Sequence, residues 1–174
     1  RNFRDVSERK ALEEQLRQLA FHDPLTLLAN RSLFRNRVQH ALALAQRSGP
    51  RVGVMFLDLD NFKNVNDSLG HDAGDRLLQA AAQRLVKCTR SADTVARLGG
   101  DEFAILLEGI TDRADVERVA VTITDSFEEP LLLDGGDANI AVSIGIAFSQ
   151  PGDDTEQLLR NADIAMYNAK ATGK

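Results

Sequence analysis

Thr94-Val95-Ala96-Arg97-Leu98-Gly99-Gly100-Asp101-Glu102-Phe103-Ala104-Ile105-Leu106-Leu107-Glu108 is the stretch on which the fold turns. Thr94–Leu98 and Phe103–Glu108 read as strands, and the intervening glycines and acids read as the turn of a β-hairpin. Upstream, Val52–Leu57 is a nearly continuous apolar run between Pro50 and Asp58, the pattern of a strand buried on both faces. Ile140–Phe148 reads as a further strand. Helices separate them. Asp23 caps free N–H groups and Pro24 opens a brief helical turn. Asn30 caps a helix to about Ser48, ended by Gly49 and Pro50. Ala73–Thr89, Ala114–Phe127 and Asp154–Ala171 carry helical spacing. Strands alternating with helices around one hairpin predict a layered sheet with helices packed on it.

The chain has 174 residues, which suits one domain with a short attachment. Its 21 basic and 26 acidic residues give a net charge of −5, no footprint for a nucleic acid polymer. An anionic ligand is therefore expected to be small and held locally. The single cysteine, Cys88, excludes an internal disulfide and a cysteine metal cluster, fits a cytoplasmic location, and reads as a packed helix residue. No run approaches the ~20 apolar residues of a membrane span, so no direct membrane contact is expected. Residues 1–20 are read as an N-terminal signalling or linker helix and 21–174 as the domain. Leu12, Leu16 and Leu19 form one seam, open to two readings: a coiled coil, or a helix lying on its own domain.

If the sheet brings the end of the Val52–Leu57 strand beside the hairpin, Asp58 meets Asp101 and Glu102. Three carboxylates at one edge raise one another's pKa unless a cation compensates them. Oxygen ligands without histidine or cysteine favour Mg²⁺ or Mn²⁺. Alone, Asp101 and Glu102 could be mere polar turn residues. However, Asp58-Leu59-Asp60-Asn61-Phe62-Lys63 leaves a strand and enters a helix, whose first N–H groups form an anion site. Lys170 and Lys174 could reach it from the last helix, or simply favour that helix's dipole.

Gly99-Gly100-Asp101-Glu102-Phe103 carries the signature of the GGDEF family, the diguanylate cyclases. It stands in family order and spacing with Asp58 to Asp67, Gly70-His71, Gly74-Asp75 and Asp163 to Lys170. The chain thus resembles that family from about Phe21 to Lys174. The resemblance implies an α+β fold with a central, mostly antiparallel sheet flanked by helices, of polymerase-palm, nucleotidyl-cyclase type with a ferredoxin-like core. It implies condensation of two GTP into cyclic di-GMP and pyrophosphate across a homodimer. Asp58, the Leu59 carbonyl and Asp101 would hold Mg²⁺ or Mn²⁺, and Asp101 or Glu102 would be the base. Asn66 and Asp75 would read guanine, the carboxylate accepting from N1–H and the exocyclic amine that adenine lacks as a pair. Asn61, Phe62, Lys63, His71, Gly100, Lys170 and Lys174 complete the implied substrate set. His71 is read as a capping or packing residue rather than an acid or base, and Asp60 as the cap of the short helix. Lys174 replaces the usual arginine, keeping charge without the bidentate fork.

Arg90-Ser91-Ala92-Asp93 resembles the family's RxxD product-inhibition site, implying that Arg90 and Asp93 bind cyclic di-GMP. Leu27 and Ala29 stand where the family has glycine and proline. If that glycine needs positive φ, Leu27 strains or reshapes a loop expected near the nucleotide, and activity falls. The resemblance also implies an upstream sensor, as after PAS domains, and often an adjacent EAL phosphodiesterase. A second function stays open, a weakly catalytic module that binds GTP or cyclic di-GMP and regulates its neighbour. A third is a chiefly structural dimerisation domain.

Overall fold

A computed structural model describes residues 2–49, 51–133 and 136–172. The helices are α1 (Asn2–Phe21), α2 (Arg31–Ser48), α3 (Phe62–Leu69), α4 (His71–Lys87), α5 (Arg113–Glu128) and α6 (Thr155–Thr172). The strands are β1 (Arg51–Leu59), β2 (Thr94–Gly99), β3 (Glu102–Ile110), β4 (Leu131–Leu133), β5 (Gly136–Ala138) and β6 (Val142–Phe148). The main sheet has the order β2-β3-β1-β6 with every pairing antiparallel. The expected α+β class is therefore the observed one. The small β4-β5 hairpin is an addition the sequence reading did not contain.

β1 lies between β3 and β6, which is why every residue from Val52 to Leu59 is buried. Strand side chains alternate faces. Met55, Leu57 and Leu59 join the core beneath α4 and α5. Val52, Val54 and Phe56 join the core beneath α2 and α6. The same alternation sends Asp58 toward the α6 face, and on β3 it sends Glu102 after Ala104 and Leu106.

Asn30 caps α2 as expected, its side-chain oxygen accepting from Leu33 N at 3.0 Å. Gly49 closes that helix at φ 88°, donating to the Ala45 carbonyl, whereas Pro50 lies outside the described residues. Asp23 shapes a turn rather than a helix, accepting from the Thr26 backbone at 2.8 Å and hydroxyl at 2.7 Å. Cys88 caps the end of α4, half-buried, with Ser126 as its sulfur's partner. On α1, Leu12, Leu16 and Leu19 are 56–69% exposed, so the helix does not bury its seam on its own domain.

α6 crosses β6 at Gly145. A Cβ there would lie 1.9 Å from Met166 N and 2.6 Å from the Ala162 carbonyl. Only a residue without a side chain lets the helix come this close, and this depth carries Lys170 to the end of β1.

Candidate active site

Asp58 and Glu102 are direct partners in the β1-β3 register, and Leu59 N donates to the Asp101 carbonyl at 3.2 Å. The three carboxylates thus share one sheet edge. Asp58 is only 5% exposed. Burial pushes its pKa above 3.8, Lys170 opposes the shift, and the charges of Asp101 and Asp60 add to it. Burial likewise raises Glu102 above 4.5, against the pull of Arg31 at 3.8 Å and with the push of Asp58, Asp101 and Asp163.

Lys170 Nζ donates to Asp58 Oδ1 at 2.7 Å. This bond raises the lysine's own pKa, so the ammonium supplies the cation that the edge demands. Among the described residues, no three histidine, cysteine or acidic side chains converge on one point. Two carboxylates with a backbone carbonyl still suit Mg²⁺, which binds few protein oxygens and keeps several waters. The donors fit a hard cation: oxygen only, at an edge where three carboxylates, Asp58, Asp101 and Glu102, face two cations, Lys170 and Arg31.

Asn66 on α3 lies beside Gly74 of α4, the residue before Asp75. A Cβ on Gly74 would sit 1.8 Å from Asn66 Oδ1 and 3.3 Å from Phe62 Cζ. The Asn66 amide therefore lies against the α4 backbone, one residue before Asp75. A helix-interior glycine costs about 1 kcal/mol relative to alanine, and close packing is a physical reason to keep it.

The remaining expected residues scatter around this edge. Phe62 is buried in the α4-side core, and Lys63 is exposed in the first turn of α3. Asn61 precedes α3 at φ 60° and makes no side-chain cap. His71 opens α4 exposed, and neither caps nor packs as expected: Gly70 takes the capping position. Asp60 also departs from its expected capping role, since its carboxylate accepts from Ser143 Oγ at 2.7 Å, a partner that β6 brings alongside. Lys174 lies outside the described residues.

Two arginines with no role expected from the sequence brace the hairpin. Arg97 donates to the Gly100 carbonyl through Nε at 3.0 Å and Nη2 at 2.8 Å, and through Nη1 to Asp23 at 3.0 Å. Burial would raise the Asp23 pKa, but bonds from Thr26 and Arg97 outweigh it and hold the carboxyl below 3.8. Arg31 faces Glu102 within a cavity of about 390 Å³ that Phe34, Phe103 and Asp163 also line. No spacing signal announces these contacts, because Arg97 and Asp23 are 74 residues apart.

Leu27 does adopt the left-handed backbone, at φ 60°. Two backbone bonds hold the loop: Leu27 N donates to the Asp23 carbonyl at 2.8 Å, and Asp23 N to Leu28 O at 2.8 Å. The Leu27 side chain is 74% exposed and lines a groove with Arg90 and Asp93 rather than the cavity at Glu102. Asp93 accepts from Arg90 N at 2.9 Å, closing the RxxD turn.

An antiparallel sheet with a carboxylate edge, covered by helices, has the arrangement expected of a palm fold. Residues 20–174 match the model of the family described as diguanylate cyclase, GGDEF domain. The diguanylate cyclase TpbB of Pseudomonas aeruginosa is 44% identical over 87% of this chain. The bifunctional diguanylate cyclase/cyclic di-GMP phosphodiesterase MucR of the same species is 44% identical over 92% of it. The chain spans 35% and 23% of those relatives' lengths. The solved GGDEF domain of TpbB superposes with a TM-score of 0.84 at 44% identity, covering 87% of this chain and 89% of that one. The coiled coil and GGDEF domain of DgcB from Caulobacter crescentus, in complex with c-di-GMP, gives 0.90 at 29% identity, covering 99% and 92%. This chain belongs to the GGDEF family, whose relatives include proteins named as diguanylate cyclases.

Proposed function

We propose that this domain condenses two GTP molecules into cyclic di-GMP across a pair of its own copies. The observation that carries the reading is the buried Asp58 beside Glu102, with Lys170 compensating the edge. Asp58, Asp101 and the Leu59 carbonyl are the residues to hold Mg²⁺ or Mn²⁺. When bound, that cation would neutralise phosphate charge and acidify a coordinated hydroxyl.

Each copy binds one GTP. Asp75 accepts from guanine N1–H and the exocyclic amine, and the Asn66 amide meets the adjoining edge. The first N–H groups of α3, with Lys63, Lys170 and Lys174, take the phosphates. The 3′-oxygen of one nucleotide attacks the α-phosphorus of the other. Its proton passes to Asp101 or Glu102, the bond to the β-phosphate oxygen breaks, and pyrophosphate leaves. The reciprocal attack closes the ring. The exposed seam of Leu12, Leu16 and Leu19 suits a coiled coil that brings two copies together. Arg90 and Asp93 would take cyclic di-GMP as an inhibitor. An upstream sensor, sometimes an EAL neighbour, and a cytoplasmic setting complete the reading. Among the described residues, no helix is long and apolar enough to cross a membrane.

A second reading, a nucleotide-binding module that regulates a neighbour, draws on a relative named as a cyclic di-GMP phosphodiesterase, NbdA of Pseudomonas aeruginosa, at 39% identity. Incubation with GTP and Mg²⁺ separates the two. Cyclic di-GMP in the products supports the cyclase, and tight GTP binding without turnover by dimers supports the module. Gly74→Ala is expected to displace the Asn66 amide and raise the KM for GTP about tenfold, near the worth of one hydrogen bond. Steady-state kinetics check this, and an unchanged KM would show that Asn66 does not read the base from this position.

A further inference from the structure

We infer that Leu27 and Arg37 are ligand-binding residues of the groove that carries Arg90 and Asp93: Leu27 is an apolar wall for a purine face, and Arg37 a second cation for phosphate. This rests on the reading of that groove as a cyclic dinucleotide site.

The groove encloses about 380 Å³ and is lined by His22, Leu27, Arg37, Arg90, Asp93 and Thr94 among others. Arg37 comes from α2, and Arg90 follows α4. Among the described residues, neither guanidinium takes part in an ion pair. Asp93 is the groove's one acid among them, and its carboxylate is engaged by Arg90 N at 2.9 Å. The balance of charge in the groove therefore favours an anion.

Leu27 adds what a bare cationic groove lacks. Its φ of 60° is a conformation that side-chain-bearing residues avoid. It is 74% exposed, so burial in the core gives nothing back. Its backbone is fixed on both sides, by Leu27 N to the Asp23 carbonyl at 2.8 Å and by His22 Nδ1 at 3.2 Å from the Leu27 carbonyl. An apolar side chain carried on a strained, hydrogen-bonded backbone at the rim of a two-arginine groove offers a surface to a flat base, while the arginines take phosphodiester oxygens. A phosphodiester-linked purine offers both features in one molecule.

Calorimetric titration of cyclic di-GMP into the whole chain tests this, with Leu27→Asn, Leu27→Gly, Leu27→Met, Arg37→Ala and Arg90→Ala beside the wild type. Asparagine and glycine accept the left-handed backbone, so both variants fold, and Leu27→Gly should melt higher than the wild type. Each should bind about tenfold more weakly, the worth of part of a buried leucine, whereas Leu27→Met keeps most of the affinity. Arg37→Ala should also lose about tenfold and flatten the salt dependence of binding. If Arg90→Ala loses binding while Leu27→Asn, Leu27→Gly and Arg37→Ala stay within twofold of wild type, this inference falls and the RxxD reading stands. If Arg90→Ala binds like the wild type, or the wild type does not bind, the RxxD reading fails and takes this inference with it.

Discussion

Gly145→Ala is expected to destabilise the domain by about 3 kcal/mol, the upper end of overpacking costs. The new Cβ would fall 1.9 Å from Met166 N and 2.4 Å from Met166 Cα. These are backbone atoms inside a helix, so no rotamer change relieves the clash, and α6 must lift from β6. Leu158, Ala162 and Met166 then lose their packing against the sheet. At this chain length, that loss lowers the melting temperature by roughly 6–12 °C. Activity should fall further than stability, because displacing α6 removes Lys170 from Asp58. A melting temperature within about 2 °C of the wild type would contradict the close crossing.

Asp58→Asn is expected to lower kcat/KM about 10³-fold, the equivalent of several kcal/mol of transition-state stabilisation. Folding should not suffer with it. The Asp58 carboxyl is raised above 3.8 by burial first, so between 3.8 and the raised value the native state binds more proton than the unfolded chain. Stability therefore falls as pH rises from 3.8 through the raised value, and Glu102 adds the same trend from 4.5 upward. Asp23, held below 3.8, works oppositely: its contribution is present above 3.8 and lost as pH falls through its lowered value. The substitution leaves Asp23 untouched and also removes the push of Asp58 on Glu102, so the difference between variant and wild type reports the coupled carboxylate edge. Urea unfolding in chelator should show a shallower decline with pH for Asp58→Asn. An identical pH profile would refute the buried, raised carboxyl.

The hairpin at Gly99–Glu102 and the buried strand ending at Asp58 were legible because both are local patterns. Once these two strands pair, alternation alone directs Asp58 and Glu102 to the same side, which is why the carboxylate edge could be foreseen. Asn30 capping α2 was legible for the same local reason. Asp60 misled, because a polar residue before a helix looks like a cap, and only the fold reveals Ser143 as the competing partner. Arg97 on Asp23, Arg31 on Glu102 and the close approaches at Gly74 and Gly145 were invisible, since each depends on contacts between separate elements. The β4-β5 hairpin escaped because strands of three residues are too short to show alternation. Leu27 marks the boundary between the two cases. Its strain could be anticipated from the missing glycine, while its place beside Arg90 rather than Glu102 could not.

The most direct test of the central claim is the rate of cyclic di-GMP formation from GTP and Mg²⁺ as a function of protein concentration. Two facing half-sites predict a rate per chain that climbs with concentration and then levels as copies pair, with Asp101→Ala inactive throughout. Saturable GTP binding with no cyclic di-GMP at any concentration, or a rate per chain independent of concentration in protein shown to be monomeric, would contradict it.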